Sequence, residues 1–368
     1  MSWPVVKLHD ICRPKQWKTI AASNLLESGY PVYGANGKIG FYSEFTHESP
    51  TLMITCRGAT CGNVHISEPK SYINGNAMAL DDMDSSAVDL KYLYYFFLKR
   101  GFDDVISGSA QPQITGQGLT KVEIPLPPLA EQKRIAAILD KADAIRCKRQ
   151  QAIQLADEFL RSVFLDMFGD PASNPKGWKV KPLKKMADVI TGNTPSRSVE
   201  EYYGGHLEWI KSDNINTPSH ILTTASEYLS EGGASVGRIV PEGSTLITCI
   251  AGSFDCIGNA SYADREVAFN QQINALIPKQ GVDSWFLYAL ILFSKKLIQA
   301  ASTNSMKGMV SKGKLEQVEI IDPPKSLQIE FSKRFESIRE LSNKNNFGLE
   351  VTSLQFASLQ KQAFSGQL

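Results

Sequence analysis

Residues 124–168 read IPLPPLAEQKRIAAILDKADAIRCKRQQAIQLADEFLRSVFLDMF. Pro127 and Pro128 stop whatever precedes them, because proline donates nothing to a strand ladder and restrains the residue before it. No proline occurs in the forty residues 129–168 that follow. There, Ile135, Ile138, Ala142, Ile145, Arg149, Ala152, Ala156, Phe159 and Val163 step by three or four. A seam this narrow, sustained for about four heptads, predicts a coiled-coil helix. At about 1.5 Å per residue it is a rod of about 60 Å. The competing reading is a helix that hugs a globular core.

The same design returns near the C-terminus. Phe331, Phe335, Ile338, Leu341, Asn345, Leu349, Thr352, Phe356, Leu359 and Ala363 give the same spacing over 326–364, with Gly348 as a weak point. Arg149 and Asn345 lie 345 − 149 = 196 apart and both interrupt a seam. A polar residue on a seam can set register at some cost in stability. Working outward, the whole chain is duplicated. Trp3-x-Val5-x-x-Leu8 recurs as Trp178-x-Val180-x-x-Leu183, and Leu52-Met-Ile-Thr-Cys56 as Thr245-Leu-Ile-Thr-Cys249. Asn74 with Ala79-Leu80 recurs as Asn270 with Ala275-Leu276. Val122-Glu-Ile124 and Pro127-Pro128 with Gln132 recur as Val318-Glu-Ile320 and Pro323-Pro324 with Gln328. A period this long means duplicated domains rather than a solenoid. Each half carries strand-like segments such as PTLMITC and STLITCI. A short helix follows, near 89–98 and 283–297. Then come the Pro-Pro break and the long helix. Asp170-Pro171 and Asn174-Pro175-Lys-Gly177 form a breaker-rich linker.

Composition agrees with a globular chain of more than one domain. The 368 residues are 42% apolar and 21% charged, which excludes wholesale disorder. The longest apolar run, 285–293, is far short of the ~20 residues a membrane span needs. The N-terminus lacks an apolar run behind a basic head, so no signal peptide is expected. The six Cys contain no CxxC and read as reduced thiols of a cytoplasmic protein. Cys56 and Cys61 read as packed rather than reactive. The net charge is +1. No segment departs from neutrality by more than one charge: 11 basic against 12 acidic residues in 1–128, 7 against 6 in 129–169, 16 against 16 in 170–325, and 5 against 4 in 326–368. Charge alone argues against nucleic acid, so any DNA site must be a local patch.

Catalytic motifs are missing. Gly308-Met-Val-Ser-Lys-Gly313-Lys314 is followed by Leu315, where a phosphate-binding loop needs Ser or Thr for magnesium. The five His show no HExxH or metal spacing, and there is no GxSxG. An adenine methyltransferase would show Asn-Pro-Pro-aromatic, but Asn174-Pro175 continues with Lys. Gly34, Gly37 and Gly40 read as a turn between strands that presents Tyr33, Asn36 and Lys38 outward. Other presumed loops hold Arg57, Gln111 and Gln113 in the first half. The second half offers Thr194, Ser196, Arg197, Lys211, Asn214, Lys307 and Lys312. Arg, Asn and Gln can bond base edges bidentately, and Lys and Ser suit phosphates. Taken one residue at a time, ordinary solvated loops are the better explanation.

Together these features resemble the specificity subunit of type I restriction-modification systems. The resemblance rests on Gly29-Tyr-Pro-Val-Tyr-Gly-Ala-Asn-Gly37, Ile54-Thr-Cys-Arg-Gly58, Gln111-Pro-Gln113 and Ile124-Pro-Leu-Pro-Pro-Leu-Ala-Glu-Gln132. In the second half it rests on Thr191-Gly-Asn-Thr-Pro-Ser196, Tyr203-Gly-Gly205 with Trp209, and Met306-Lys-Gly308. The second Pro-Pro run departs: Asp322 replaces a Leu, and Lys325 with Leu327 replaces Leu129 with Glu131. The resemblance implies an α+β fold: two mixed α/β target recognition domains, 1–128 and 170–325, separated by two long helices, 129–169 and 326–368, in an antiparallel coiled coil. Each domain is expected to read one part of a split, asymmetric double-stranded DNA target. The helices, through Ile135, Ile138, Ala142, Ile145, Arg149, Phe159, Ile338, Leu341, Asn345, Leu349 and Phe356, are expected to pair and to dock two methyltransferase subunits. Two ATP-driven restriction subunits complete the expected complex. S-adenosylmethionine, ATP and magnesium belong to those partners, and this chain is expected to catalyse nothing. A stand-alone methyltransferase-nuclease and a coiled-coil adaptor without a DNA role are the alternatives.

Overall fold

The computed structural model describes residues 3–35, 37–108, 111–217, 219–302 and 308–368. The fold is α+β. The chain forms two compact units, one of residues 1–151 with 346–368 and the other of 152–345. Two helices of 40 residues each, Leu129–Phe168 and Lys325–Phe364, contribute to both units. No described helix is long and apolar enough to cross a membrane.

In the first unit an antiparallel sheet runs in the order Arg13–Gln16, Ala77–Asp81, Leu52–Thr55, Val64–Ile66. Leu52–Thr55 is buried at every residue. A central strand covered on both faces reads as an unbroken apolar run, hence LMIT rather than an alternating pattern. A second sheet pairs the hairpin Tyr30–Gly34 and Gly37–Tyr42, with Tyr72–Ile73 parallel to the first hairpin strand. The second unit repeats the first sheet as Ala187–Thr191, Ile273–Pro278, Thr245–Thr248 and Ala260–Tyr262. It also repeats the parallel pairing, as Trp209 with Ala268 and Ile210 with Phe269. In both units a short N-terminal strand closes against the strand before the prolines: Val5–Lys7 on Glu123–Pro125, and Val180–Pro182 on Glu319–Ile321.

The Pro-Pro-x-x-x-Gln run has a structural cause. Gln132 is fully buried. Its Nε2 donates to the carbonyls of Pro127 and Ala87, at 2.8 Å each, and its Oε1 accepts from the amide of Asp89 at 2.8 Å. Asp89 in turn caps the helix Leu90–Arg100 by accepting from the amide of Tyr92. One side chain therefore ties the proline turn, the short helix and the long helix together. In the second copy Gln328 Nε2 donates to Pro323 O at 2.9 Å, and Asp283 caps Ser284–Phe293. The departures at Asp322, Lys325 and Leu327 leave this start intact, with amides 327 and 328 both bonded to Pro324 O.

Within each unit the long helices pair antiparallel. In the first, Arg134 donates to the carbonyl of Leu368, Arg146 stacks over Phe356 and Arg149 lies against Gly348, so one number rises as the other falls. Gly348 is thus no defect: a Cβ there would collide with the Arg149 guanidinium. In the second, the rings of Phe164 and Phe168 lie 5.4 and 5.5 Å from Phe331.

The seam itself needs correction. Ile135 and Phe356 are buried, and Ile138, Ala142, Arg149, Ile338, Asn345 and Leu349 are half-buried. Ile145, Phe159 and Leu341, however, are 50%, 59% and 58% exposed. The buried face is carried one residue later, by Leu139, Leu160 and Ser342. A strict heptad drifts about 20° per repeat on a straight 3.6-residue helix. Moreover, both long helices pack on the short helices as well as on each other: Tyr95 meets Phe356 and Asp140, Trp285 stacks on Phe335, and Phe168 lies 5.1 Å from Phe286. The stripe that must be buried is therefore broader than an a/d seam.

Candidate nucleic-acid interface

In the first unit one loop cluster gathers residues far apart in sequence. Strand Leu52–Thr55 runs out into Arg57-Gly58, and Arg57 bridges antiparallel to Gln113. The amide of Gly58 donates to Pro112 O at 3.2 Å, and the amide of Ile114 to Cys56 O at 3.0 Å. Gly58 has φ +86°, a conformation that favours glycine. Ser107 and Gln113 exchange two 2.8 Å backbone bonds. The result is a stiff rim from which Arg57, Gln111 and Gln113 are exposed. The hairpin tip is pinned beside it, since Thr55 and Thr60 both donate hydroxyls to Ala35 O, at 2.7 and 3.2 Å. Beneath the rim Gln16 Nε2 donates to Cys56 Sγ and to Gly75 O. Burial pushes the Cys56 thiol above its ordinary pKa.

The glycine-spaced turn joins two strands, but its residues split. Lys38 is exposed, 3.4 Å from Glu68 Oε1 and over the Phe41 ring. Tyr33 faces inward, contrary to the outward reading. It is buried, and its hydroxyl both donates to Glu68 Oε1 and accepts from the Glu68 amide, at 3.2 Å each. Only the covered sheet face can take its ring. Asn36 lies outside the described residues. Asn76, exposed with its carbonyl accepting from the Cys56 amide at 3.1 Å, borders the rim and was not singled out from sequence. An Asn-Gly-Asn run marks only a turn.

In the second unit the candidates form a cation-aromatic cluster. Arg197 donates to Glu227 Oε2 at 2.6 Å, and Lys211 pairs with the other oxygen of the same carboxylate. Both cations lie over the Trp209 ring, and Arg197 also lies 4.3 Å from the Tyr203 centroid. Lys211 first and then Arg197 hold the Glu227 carboxyl below its ordinary pKa. Sequence reading missed Glu227, because nothing local links it to positions 197 and 211. Ser196 is exposed and bonded to Ser198, and Thr194 donates to Gln271, itself exposed. Asn214 is a correction. It is buried, donating to Thr223 Oγ1 and Thr224 O and accepting from the Lys211 amide. Its amide oxygen closes its own turn, and its amide nitrogen ties that turn to the loop of Thr223 and Thr224. Lys312 is exposed, 3.7 Å from Glu316. Lys307 lies outside the described residues.

Among the described residues no cluster of His, Cys, Asp or Glu is arranged to hold a metal. Among the described residues the most buried His, Lys or Arg to carboxylate pair is His47 with Asp81 at 2.9 Å, and Asp81 also accepts from Trp17 Nε1 at 3.1 Å.

The sequence profile of the type I restriction modification DNA specificity domain matches residues 1–156 and 175–350. The specificity subunit of the type I restriction enzyme HindI from Haemophilus influenzae is 30% identical over 177 residues, 47% of this chain and 38% of that one. That of MjaIX from Methanocaldococcus jannaschii is 30% identical over 199 residues, 49% of this chain and 43% of that one. The matched stretches thus span about two fifths of these relatives. The crystal structure of the S subunit of a type I restriction-modification system from M. genitalium aligns with TM-score 0.68 at 16% identity, covering 99% of this chain and 96% of that one. A chain from a structure describing assembly of a type I R-M system aligns with TM-score 0.52 at 14% identity, covering 100% and 98%. At these identities the structures establish the shared fold.

Proposed function

The chain belongs to the type I restriction modification DNA specificity family, and on that premise we propose that it is the DNA-reading subunit of such a complex. Each unit reads one part of a split, asymmetric double-stranded target. The observation that carries this reading is one backbone frame built twice with unlike exposed faces. The first unit displays Arg57, Gln111 and Gln113, and the second displays Arg197, with half-buried Lys211 beside it, over aromatic rings. Identical faces would fit a palindrome, whereas unlike faces fit two different half-sites. The subunit binds and orients, and it transfers no group itself. Two methyltransferase subunits bring S-adenosylmethionine, and two restriction subunits bring ATP and magnesium, in the cytoplasm. The exposed Ile145, Phe159 and Leu341 on the long helices suit docking of the methyltransferase subunits. A net charge of +1 is compatible with DNA binding because partners can supply basic surface.

Co-purification with a cognate methyltransferase, followed by sequencing of methylated DNA, tests this reading. One split site with two unlike halves is expected. The chain alone is expected to show neither methyl transfer nor ATP hydrolysis. Turnover by the contaminant-free chain would overturn the assignment.

The loops of the first unit give a second expected result. Arg57→Ala should weaken or relax the first half-site by about 1–3 kcal/mol, as loss of a base contact does. Lys38→Ala should weaken all sequences alike and lower the salt slope by about one. Titrations at several salt concentrations, on matched and mismatched duplexes, separate the two. Unchanged affinity, specificity and slope in both variants would move the reading surface elsewhere.

A further inference from the structure

The rim around Arg57 has a counterpart in the second unit that repeats five of its backbone hydrogen bonds. The amide of Thr55 donates to Asn63 O at 2.8 Å, and that of Thr248 to Asn259 O at 2.9 Å. Gly62 N to Thr55 O, 2.8 Å, becomes Gly258 N to Thr248 O, 2.9 Å. Cys56 N to Asn76 O becomes Cys249 N to Gln272 O. Ile114 N to Cys56 O becomes Val310 N to Cys249 O, and Gly58 N to Pro112 O becomes Ala251 N to Gly308 O. After each rim a hydroxyl caps a short helix, Thr115 in one unit and Ser311 in the other. The antiparallel bridge between Arg57 and Gln113 becomes one between Ile250 and Met309.

The frame is shared, but the chemistry at its two bridged positions is inverted. Arg57 and Gln113 are exposed hydrogen-bonding groups, whereas Ile250 is half-buried and Met309 is 40% exposed. The second loop is also longer. Thr55 to Asn63 takes eight steps and Thr248 to Asn259 eleven, so it holds three extra residues. The enlarged loop carries Phe254, 52% exposed, with Gly308 packed against the faces of Phe254 and Ile257. A Cβ at Gly308 would press to 3.0 Å from Ile257 and 3.5 Å from Phe254. Ile250 and Met309, paired across the bridge, and Phe254, beside Gly308, thus give this rim apolar side chains where the first unit has a guanidinium and an amide. None of the three can neutralise a phosphate or bond a base edge. In the major groove the one apolar feature a base pair offers is the C5-methyl of thymine.

We propose that the second unit reads thymine through this methyl group with Ile250, Phe254 and Met309, at the position where the first unit reads purine edges with Arg57 and Gln113. The inference rests on the DNA-reading function proposed above and adds to it the kind of base and the mode of contact. Specificity in the first unit is then a matter of paired donors and acceptors. In the second it comes partly from excluding water around a methyl group, which is insensitive to salt.

Deoxyuridine tests it, because it removes the methyl and leaves every hydrogen-bonding group. The intact complex with its methyltransferase is used, with the target known from methylation sequencing and the halves assigned by Arg57→Ala. In the half read by the second unit, at least one thymine-to-deoxyuridine replacement should weaken binding about three- to fivefold, the effect of one buried methyl. The variant Met309→Ala with Phe254→Ala should bind the two duplexes equally, while Arg57→Ala keeps the difference. Three results would overturn the proposal: uridine tolerated at every thymine of that half, a half with no thymine on either strand, or discrimination surviving in the double variant. The first two use the unaltered protein, so misfolding cannot mimic them. A complex that methylates no defined site overturns the DNA-reading function together with this inference.

Discussion

A variant with four extra residues in each long helix, after Gln151 and after Asn345, is expected to methylate the same two half-sites across a spacer one or two base pairs longer. The chain passes between its two units at these two points, both inside a helix. Four residues add about 6 Å of helix and turn it about 400°, nearly one full rotation. Apolar faces on both sides of the insertion therefore keep their facing. B-DNA rises about 3.4 Å per base pair along each strand, so 6 Å corresponds to one or two pairs. Inserting two residues in each helix instead turns it about 200° and sends the stripe to the wrong side. That variant should lose methylation altogether. Methylation sequencing reads both variants. An active four-residue variant with the original spacer would show that the helices are not the ruler.

Phe331→Ala should destabilise the protein by about 3–5 kcal/mol, the usual cost of emptying a large buried ring site. Phe331 has no exposed surface. It lies within 5.4 to 6.0 Å, ring centre to ring centre, of Phe164, Phe168 and Phe335. Those rings carry the end of one long helix and the start of the other, so the cavity opens where the helices meet the second unit. Phe347→Ala is the matched control. It is the same residue type on the same helix but 70% exposed, and its cost should stay within about 0.5 kcal/mol. Denaturant midpoints at constant m-value compare the two. Equal effects would mean that burial in the ring cluster does not hold this helix.

The contrast between Phe331 and Phe347 marks a limit of sequence reading. Local order was legible wherever it depends on neighbours along the chain. Proline stops, the three-four step of apolar residues and the alternating helix and strand composition are short-range constraints. They bounded the helix Leu129–Phe168, and they revealed the duplication through recurring residues at a shared offset. Gln132 could be singled out as part of a motif, but its role could not. It bonds Ala87 and Asp89, more than forty residues away.

What tertiary structure decided is which side of each element is covered. A seam written in heptads suggested Ile145, Phe159 and Leu341, yet each helix also had to cover its unit, and the buried face turned one residue on. Tyr33 and Asn214 looked like presented polar groups, but their partners, Glu68 and Thr223, come from other loops and draw both inside. The joining of Arg57 to Gln113, of Arg197 and Lys211 to Glu227, and of Ile250 to Met309 was likewise invisible. Residue type sets what a side chain can do. Whether it is exposed, and beside what, depends on segments brought together only by burying the core, and local periodicity carries no record of them.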